Sequence, residues 1–417
     1  MTSGTPDIDD IAGESGPPVA RSTHWPSLLM VYSAGVTAAM GLGKFSVATD
    51  SLRGDLRIGL GELGWVISAV TAVSALLGTP VGLRLGRMST RVILVAGTWT
   101  VAVAGAAGAL ATSLGGLLPI RAVEGVGYLM VVIACPTLVV RLCAPRDQSR
   151  ALALWGTFVP VGLALSTALG GAVGEAVGWR GWMLVVAGIT AVPAVVLTFT
   201  RIGVEVPGAP LPQRPKGARR RLRHARPVIL LALGFCMASL VTVAIFALLP
   251  TFLERELGRS GSDAGATAGL ISLVSVGGGL LIGWLLHRNP DRRPVLLCSL
   301  LAVVAAWTAF RPGGPAALFL AGATVISAIN GILVGMILAL VPRLVDDPGE
   351  IGLANGIVTQ GGSLGSLLGP PLFNLGVEDW DWTAVGWLTT VGMAVCWLFL
   401  SLALRPPRHV PRLRAGA

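Results

Sequence analysis

The sequence predicts an all-α polytopic membrane protein, with twelve transmembrane helices in two six-helix bundles. Three features carry that prediction. Of 417 residues, 53% are hydrophobic and only 12% charged, with a mean hydropathy of +0.76; soluble domains carry about 25% charged residues. Apolar runs long enough for a bilayer core of about 30 Å, which takes about 20 helical residues, recur along the chain. A basic stretch rich in proline and glycine then breaks the series near its middle. No soluble core of this size needs so much apolar surface, and a disordered chain has far less. Soluble dehydrogenases, kinases and secreted disulfide scaffolds are thereby excluded.

Residues 1–25 are polar, with Asp7, Asp9, Asp10 and Glu14 and no basic region ahead of a short apolar core. They read as a disordered cytoplasmic tail rather than a cleaved signal. The N-terminal bundle, 26–200, holds spans 27–47, 63–83, 92–112, 115–139, 151–174 and 181–200. The linker 201–226 carries eight basic residues. Such a run suits a charged cytoplasmic connection and needs no nucleic-acid partner. The C-terminal bundle, 227–404, holds spans 228–252, 265–286, 294–311, 315–342, 352–374 and 383–404, followed by a cytoplasmic tail over 405–417.

Orientation follows from the basic residues, which favour cytoplasmic loops. With the N-terminus inside, 23 Lys and Arg fall on the cytoplasmic side and six outside: Arg53, Arg57, Arg180, Arg255, Arg259 and Arg311. Lys44 and Arg121 remain within spans. The halves also echo each other. Gly82, Arg87 and Arg91 after span 2 recur as Gly283, Arg288 and Arg292 after span 8, at an offset of 201 (82 to 283). Gly162, Ser166 and Gly170 in span 5 recur as Gly361, Gly365 and Gly369 in span 11, at an offset of 199 (162 to 361). A six-plus-six duplication accounts for both.

The five cysteines lie in or beside apolar runs without CxxC or CxxH spacing, so neither a disulfide nor a metal site is expected. His24, His224, His287 and His409 fall in tails or loops. No Walker A pattern appears, so nucleotide is not the expected energy source and no cofactor is expected. In span 4, Arg121 and Glu124 stand three residues apart and share a helix face, followed by Gly125 and Gly127, which let a neighbouring helix approach. Ionisable groups at that depth usually face a protein interior or a watery cavity.

The loop 82–91 and the run Arg121-xxx-Gly125-x-Gly127 resemble signatures of the major facilitator superfamily, and the resemblance covers nearly the whole chain after residue 25. The loop keeps Gly82, Arg87 and Arg91, but Gly86 stands where the family usually has Asp. The family's Asp helps latch the cytoplasmic side, so the resemblance implies a gating role for this loop and for Arg288 and Arg292. Drug antiporters of the family carry a Gly-Pro pair in span 5, where this chain has Ser166 and Thr167. Packing through small residues accounts for Gly162, Gly170, Gly365 and Gly369 here.

The resemblance implies two bundles around a central cavity lined by spans 1, 4, 7 and 10, where Lys44, Arg121, Glu124 and Asn330 fall. The expected function is secondary active transport of a small organic solute across a bacterial plasma membrane by alternating access, coupled to protons, in a monomer. Glu124 is the candidate proton carrier. Arg121 and Lys44 bias the cavity toward an anionic solute, and Tyr128, one turn further on, bonds the carboxylate or the solute. Simpler readings stand beside these. Lys44 would snorkel to the surface, Arg121 and Glu124 would form a static pair, and Asn330 and Gln360 would make interhelical hydrogen bonds instead of binding solute. An efflux antiporter is the alternative transporter. A membrane sensor, or a membrane-embedded enzyme using Asp346 with Asp347 or Asp379 with Asp381, is the alternative class.

Overall fold

The computed structural model describes residues 22–85, 88–200, 225–288, 293–345 and 351–404, and all regular structure among them is helical. The first half comprises α1 (Trp25–Gly43), α2 (Thr49–Leu56), α3 (Leu60–Ser68), α4 (Ala72–Leu85), α5 (Thr90–Gly108), α6 (Leu114–Leu142), α7 (Gln148–Trp155) and α8 (Phe158–Phe199). The second comprises α9 (Ala225–Arg255), α10 (Gly261–Arg288), α11 (Arg293–Ala309), α12 (Ala316–Leu340), α13 (Ile351–Trp380) and α14 (Thr383–Ala403).

Nine helical stretches among the described residues are long and apolar enough to cross a membrane. One of them contains the 42-residue α8, which Gly178, at φ 72°, divides into two passes. Glycine reaches that left-handed region without strain, so the chain reverses there. The shorter α11 and the Gly-rich α13 complete the six-plus-six series. Because successive passes alternate in direction, both ends of the chain lie on one face, called here the terminal face. The other is the far face. Lipid solvates such a fold: Leu76, Leu110 and Leu270 are at least 67% exposed while Leu63, Leu94 and Leu249 are sealed inside, so both surfaces are apolar.

Two boundaries and one loop assignment differ from expectation. Span 1 stops at Gly43, and residues 49–56 form a separate short helix, α2. Span 2 is α3 and α4 joined through a tight 3-10 turn at Ala69–Thr71. Spans 3 and 4 are separate helices, as read from the sequence, and the Ser113 hydroxyl caps α6 by accepting from Gly116 N. His287, expected in a loop, lies in the last turn of α10.

The halves meet along two seams, α8 on α10 and α13 on α3 and α4. Small residues set both. Gly269 faces the Ala164 carbonyl, where an added Cβ would come within 2.8 Å, and one added at Gly64 would come within 2.5–2.7 Å of the Pro370–Pro371 backbone. Hydrogen bonds join the halves at the far face, and Gln360 Nε2 donates to the Ala75 carbonyl at 2.8 Å near mid-depth.

Candidate functional site

Three buried charges converge inside the first half. Lys44 follows the last residue of α1, and its side chain runs back into the bundle instead of out to the surface. Nζ donates to both Glu124 carboxylate oxygens, at 2.7 and 3.0 Å. Arg121 Nη1 donates to Glu124 Oε2 at 2.6 Å across one turn of α6. All three residues are at most 1% exposed. The snorkelling alternative for Lys44 is therefore incorrect, because the ammonium is buried and bonded to the Glu124 carboxylate.

Arg121 also spends its remaining donors on backbone. Nε and Nη2 donate to the carbonyls of Val66 and Ile67, each at 3.0 Å. Those carbonyls precede the 3-10 turn that interrupts span 2, where the α-helical bonding pattern changes. Gly125 makes room for that turn, since a side chain there would strike the Val70 carbonyl. Phe45 lies against both cations, its ring centroid 4.9 Å from the Arg121 guanidinium carbon and 5.4 Å from Lys44 Nζ. Trp182 Nε1 fixes the other side of Lys44 by donating to its carbonyl at 3.1 Å.

Sequence reasoning missed Gly41 and Gly105. A Cβ at Gly41 would fall 2.8 Å from Glu124 Oε1, and one at Gly105 would fall 3.5 Å from Lys44 Nζ. Their absent side chains leave the space the charges fill. In a chain with 56 glycines, no signal distinguished these two.

The other candidates are elsewhere. Tyr128 packs among apolar residues, and no hydrogen bond joins it to Glu124, whose two oxygens are already occupied. The expectation that it bonds the carboxylate is therefore corrected for this conformation. Asn330 is half-buried in α12, in the other half of the molecule. Gln360 bridges the halves through the Ala75 carbonyl. Cys135, Cys143, Cys236 and Cys396 are free and buried, and no group of three metal-binding side chains occurs among the described residues.

Glycine supplies the close helix contacts around this core. Gly162 faces Ala39 Cβ and the Val36 carbonyl, Gly170 faces Trp182, and Gly127 faces the Gly97 carbonyl. In the second half Gly361, Gly365 and Gly369 lie in turn against the carbonyls of Ala232, Cys236 and Leu240.

This arrangement of paired six-pass halves, with a charged cluster on the fourth pass, can be compared with known proteins. A model of the Major Facilitator Superfamily matches residues 31–347 and again 291–417. The chain belongs to the major facilitator superfamily. It is thus a multi-pass membrane protein of a transporter family.

An uncharacterised MFS-type transporter of Mycobacterium tuberculosis is 28% identical over 165 residues, 39% of this chain and 28% of the relative. An MFS-type efflux pump of Mycolicibacterium smegmatis is 26% identical over 164 residues, 39% of this chain and 38% of the pump. The matched stretches thus span well under half of either relative. Among solved structures, a bacterial homologue of the human lysosomal transporter Spinster, inward-facing and unoccupied, superposes with TM-score 0.73 at 18% identity, covering 92% of this chain and 96% of that one. A D-xylose–proton symporter superposes with TM-score 0.69 at 14% identity, covering 91% and 98%. Both likenesses concern the fold.

Of the major facilitator loop residues, Gly82 lies near the end of α4. Gly86, Arg87 and Arg292 lie outside the described residues, as do Asp346, Asp347, the tail 1–21, residues 201–224 of the linker, and 405–417. Arg288 ends α10, and its side chain is also outside the description. Arg91 Nη2 donates to the Thr198 and Thr200 carbonyls at 3.2 and 3.0 Å. It thereby holds the end of α8 within its own half. Asp379 and Asp381 fall at the far-face turn between α13 and α14.

Proposed function

We propose that this chain is a secondary active transporter that moves a small anionic organic solute together with protons by alternating access. One observation carries the reading: the sealed cluster holds two cations and one anion. A network kept for stability alone would be balanced, because a surplus charge in a low-dielectric interior costs several kcal/mol even when paired. A static Arg121–Glu124 pair needs no Lys44, yet Lys44 makes both of the carboxylate's remaining hydrogen bonds.

The chemistry then has a direction. With Glu124 ionised, both cations are engaged and the cluster has little call for an anion. A proton on Glu124 cancels its charge and turns one accepting oxygen into a donor, so the hold on Lys44 Nζ and Arg121 Nη1 weakens and positive charge is freed toward an anionic solute. Proton and anion therefore favour each other's binding, which is the thermodynamic requirement of symport. Exchange of a proton against a solute would instead need the two to compete. The geometry accordingly favours uptake over the efflux alternative.

The basic asymmetry of the sequence supports placing the terminal face in the cytoplasm of a bacterial cell. The face closed by the contacts of Glu175, Glu378, Asp50 and Thr49 is then external. A monomer supplies every group in this scheme.

Glu124→Gln tests it, since the amide keeps the shape and removes the titrating proton. In proteoliposomes, gradient-driven accumulation of the anion is lost while exchange of internal for external solute continues. Accumulation retained by Glu124→Gln would overturn the assignment. The substrate is found first by screening organic anions for pH-dependent uptake.

A further inference from the structure

The far face is closed by contacts that obey the same internal duplication as the helices. Glu175, at the end of the first pass of α8, reaches across the seam, and its Oε1 accepts from Ser262 N at the start of α10, 3.2 Å away. Glu378, near the end of α13, reaches back the other way, and its Oε2 accepts from Gly61 N at the start of α3, 3.0 Å away. The two carboxylates stand 203 positions apart (175 to 378), and the two N–H groups 201 apart (61 to 262). Each donor is among the first N–H groups of a helix, which lack intrahelical partners and carry the positive end of the helix dipole. Each carboxylate is therefore a cap supplied by the opposite half.

The surroundings repeat too. A Cβ at Gly261 would fall 3.0 Å from Glu175 Oε1, and one at Gly59 would fall 3.1 Å from Glu378 Oε1. One helical turn further in, Gly265 faces the Thr167 carbonyl and Gly64 faces the Pro370–Pro371 backbone. A second carboxylate stands beside each cap. Glu254 Oε1 would lie 3.4 Å from that same Gly261 Cβ, while Glu62 accepts from Gly59 N at 2.8 Å. These neighbours oppose the caps by like charge. An ion pair between Asp50 and Arg255 and a hydrogen bond between Thr49 and Thr251, 3.2 Å, lie on the same seam.

A second duplicated pair stays within each half. Trp179 Nε1 donates to Asp55 and Trp382 Nε1 to Glu256, both at 2.8 Å. Each tryptophan follows a residue in the left-handed region, Gly178 at φ 72° and Asp381 at φ 61°. These tethers hold the sixth pass of a half to the link after its first pass, and they move as part of that half.

We propose that Glu175 and Glu378 form a pseudo-symmetric latch that holds the far face shut, each half capping a helix of the other, and that both caps release when the far face opens. The latch rests on the alternating-access reading. Both carboxylates are exposed, so water and salt screen each cap and its contribution is small. A small contribution suits a gate that must open in every cycle.

The test uses the full chain in lipid nanodiscs, with the native cysteines replaced by alanine and spin labels at Gly54→Cys and Arg311→Cys, one exposed far-face position in each half. Pulsed electron resonance reads the distance distribution. Glu175→Ala and Glu378→Ala each raise the ratio of open to closed populations roughly two- to fivefold, the lower range of helix-cap losses. The double variant multiplies the two effects. Glu175→Gln and Glu378→Gln, whose amide oxygens still accept, shift it less. Asp55→Asn and Glu256→Gln, whose partners Trp179, Arg180 and Trp382 lie within the same half, leave it unchanged. A distribution that responds to pH but not to the alanine variants overturns the latch alone. One that responds to no variant, pH or solute overturns the alternating-access reading and the latch with it.

Discussion

Arg121 serves three partners at once: the Glu124 carboxylate and the carbonyls of Val66 and Ile67. Replacing it with methionine leaves those acceptors buried without their donors, and breaking a buried pair typically costs about 3–5 kcal/mol. Arg121→Met should therefore lower thermal stability in detergent sharply. The triple variant Lys44→Met, Arg121→Met, Glu124→Met removes the charges together and should recover most of that loss, while abolishing pH-dependent uptake. Melting temperatures of the two variants distinguish a network kept for function from one that scaffolds the fold. A triple variant as unstable as the single one would favour the scaffold.

At the scale of elements, α6 owes its position to Gly125. Even alanine there would strike the Val70 carbonyl, which is backbone and cannot turn aside. Overpacking of this kind costs about 1–3 kcal/mol. It also pushes the 3-10 turn away from the guanidinium that holds it. Gly125→Ala should lower both stability and transport. Gly188 in α8 has no atom within 4 Å of an added Cβ, so Gly188→Ala should be neutral or stabilise by up to about 1 kcal/mol through helix propensity. Equal losses at the two sites would mean that close approach at Gly125 is not what positions α6. The far-face links also rest on side-chain chemistry. The Trp179 indole and then the Arg180 guanidinium hold the exposed Asp55 carboxyl below its ordinary pKa.

For the whole molecule, topology is the property on which the mechanism depends, because it decides which face is external. With the terminal face cytoplasmic, Arg220→Cys should be protected from an impermeant thiol reagent in intact cells, and Asp263→Cys should react. The reverse pattern would turn the molecule over. The far-face latch would then close the cytoplasmic side, and the direction of coupling would have to be argued again.

The sequence by itself determined the class of fold, the approximate passes and the identity of the buried acid. Each of these depends on composition or spacing along one segment. About twenty apolar residues must span a bilayer whatever they pack against, and an acid deep in such a run must find a partner. Arg121 was legible as that partner because three residues along a helix is a fixed geometry. Lys44 was not, since its 80-residue separation from Glu124 says nothing about which way the ammonium turns. The break in span 2 escaped notice because the 3-10 turn at Ala69–Thr71 carries no proline or glycine. Only the tertiary structure brought α1 beside α6, turned Lys44 inward and paired Glu175 and Glu378 with helices of the opposite half. Those choices follow from which surfaces meet, and a surface exists only once the helices have packed.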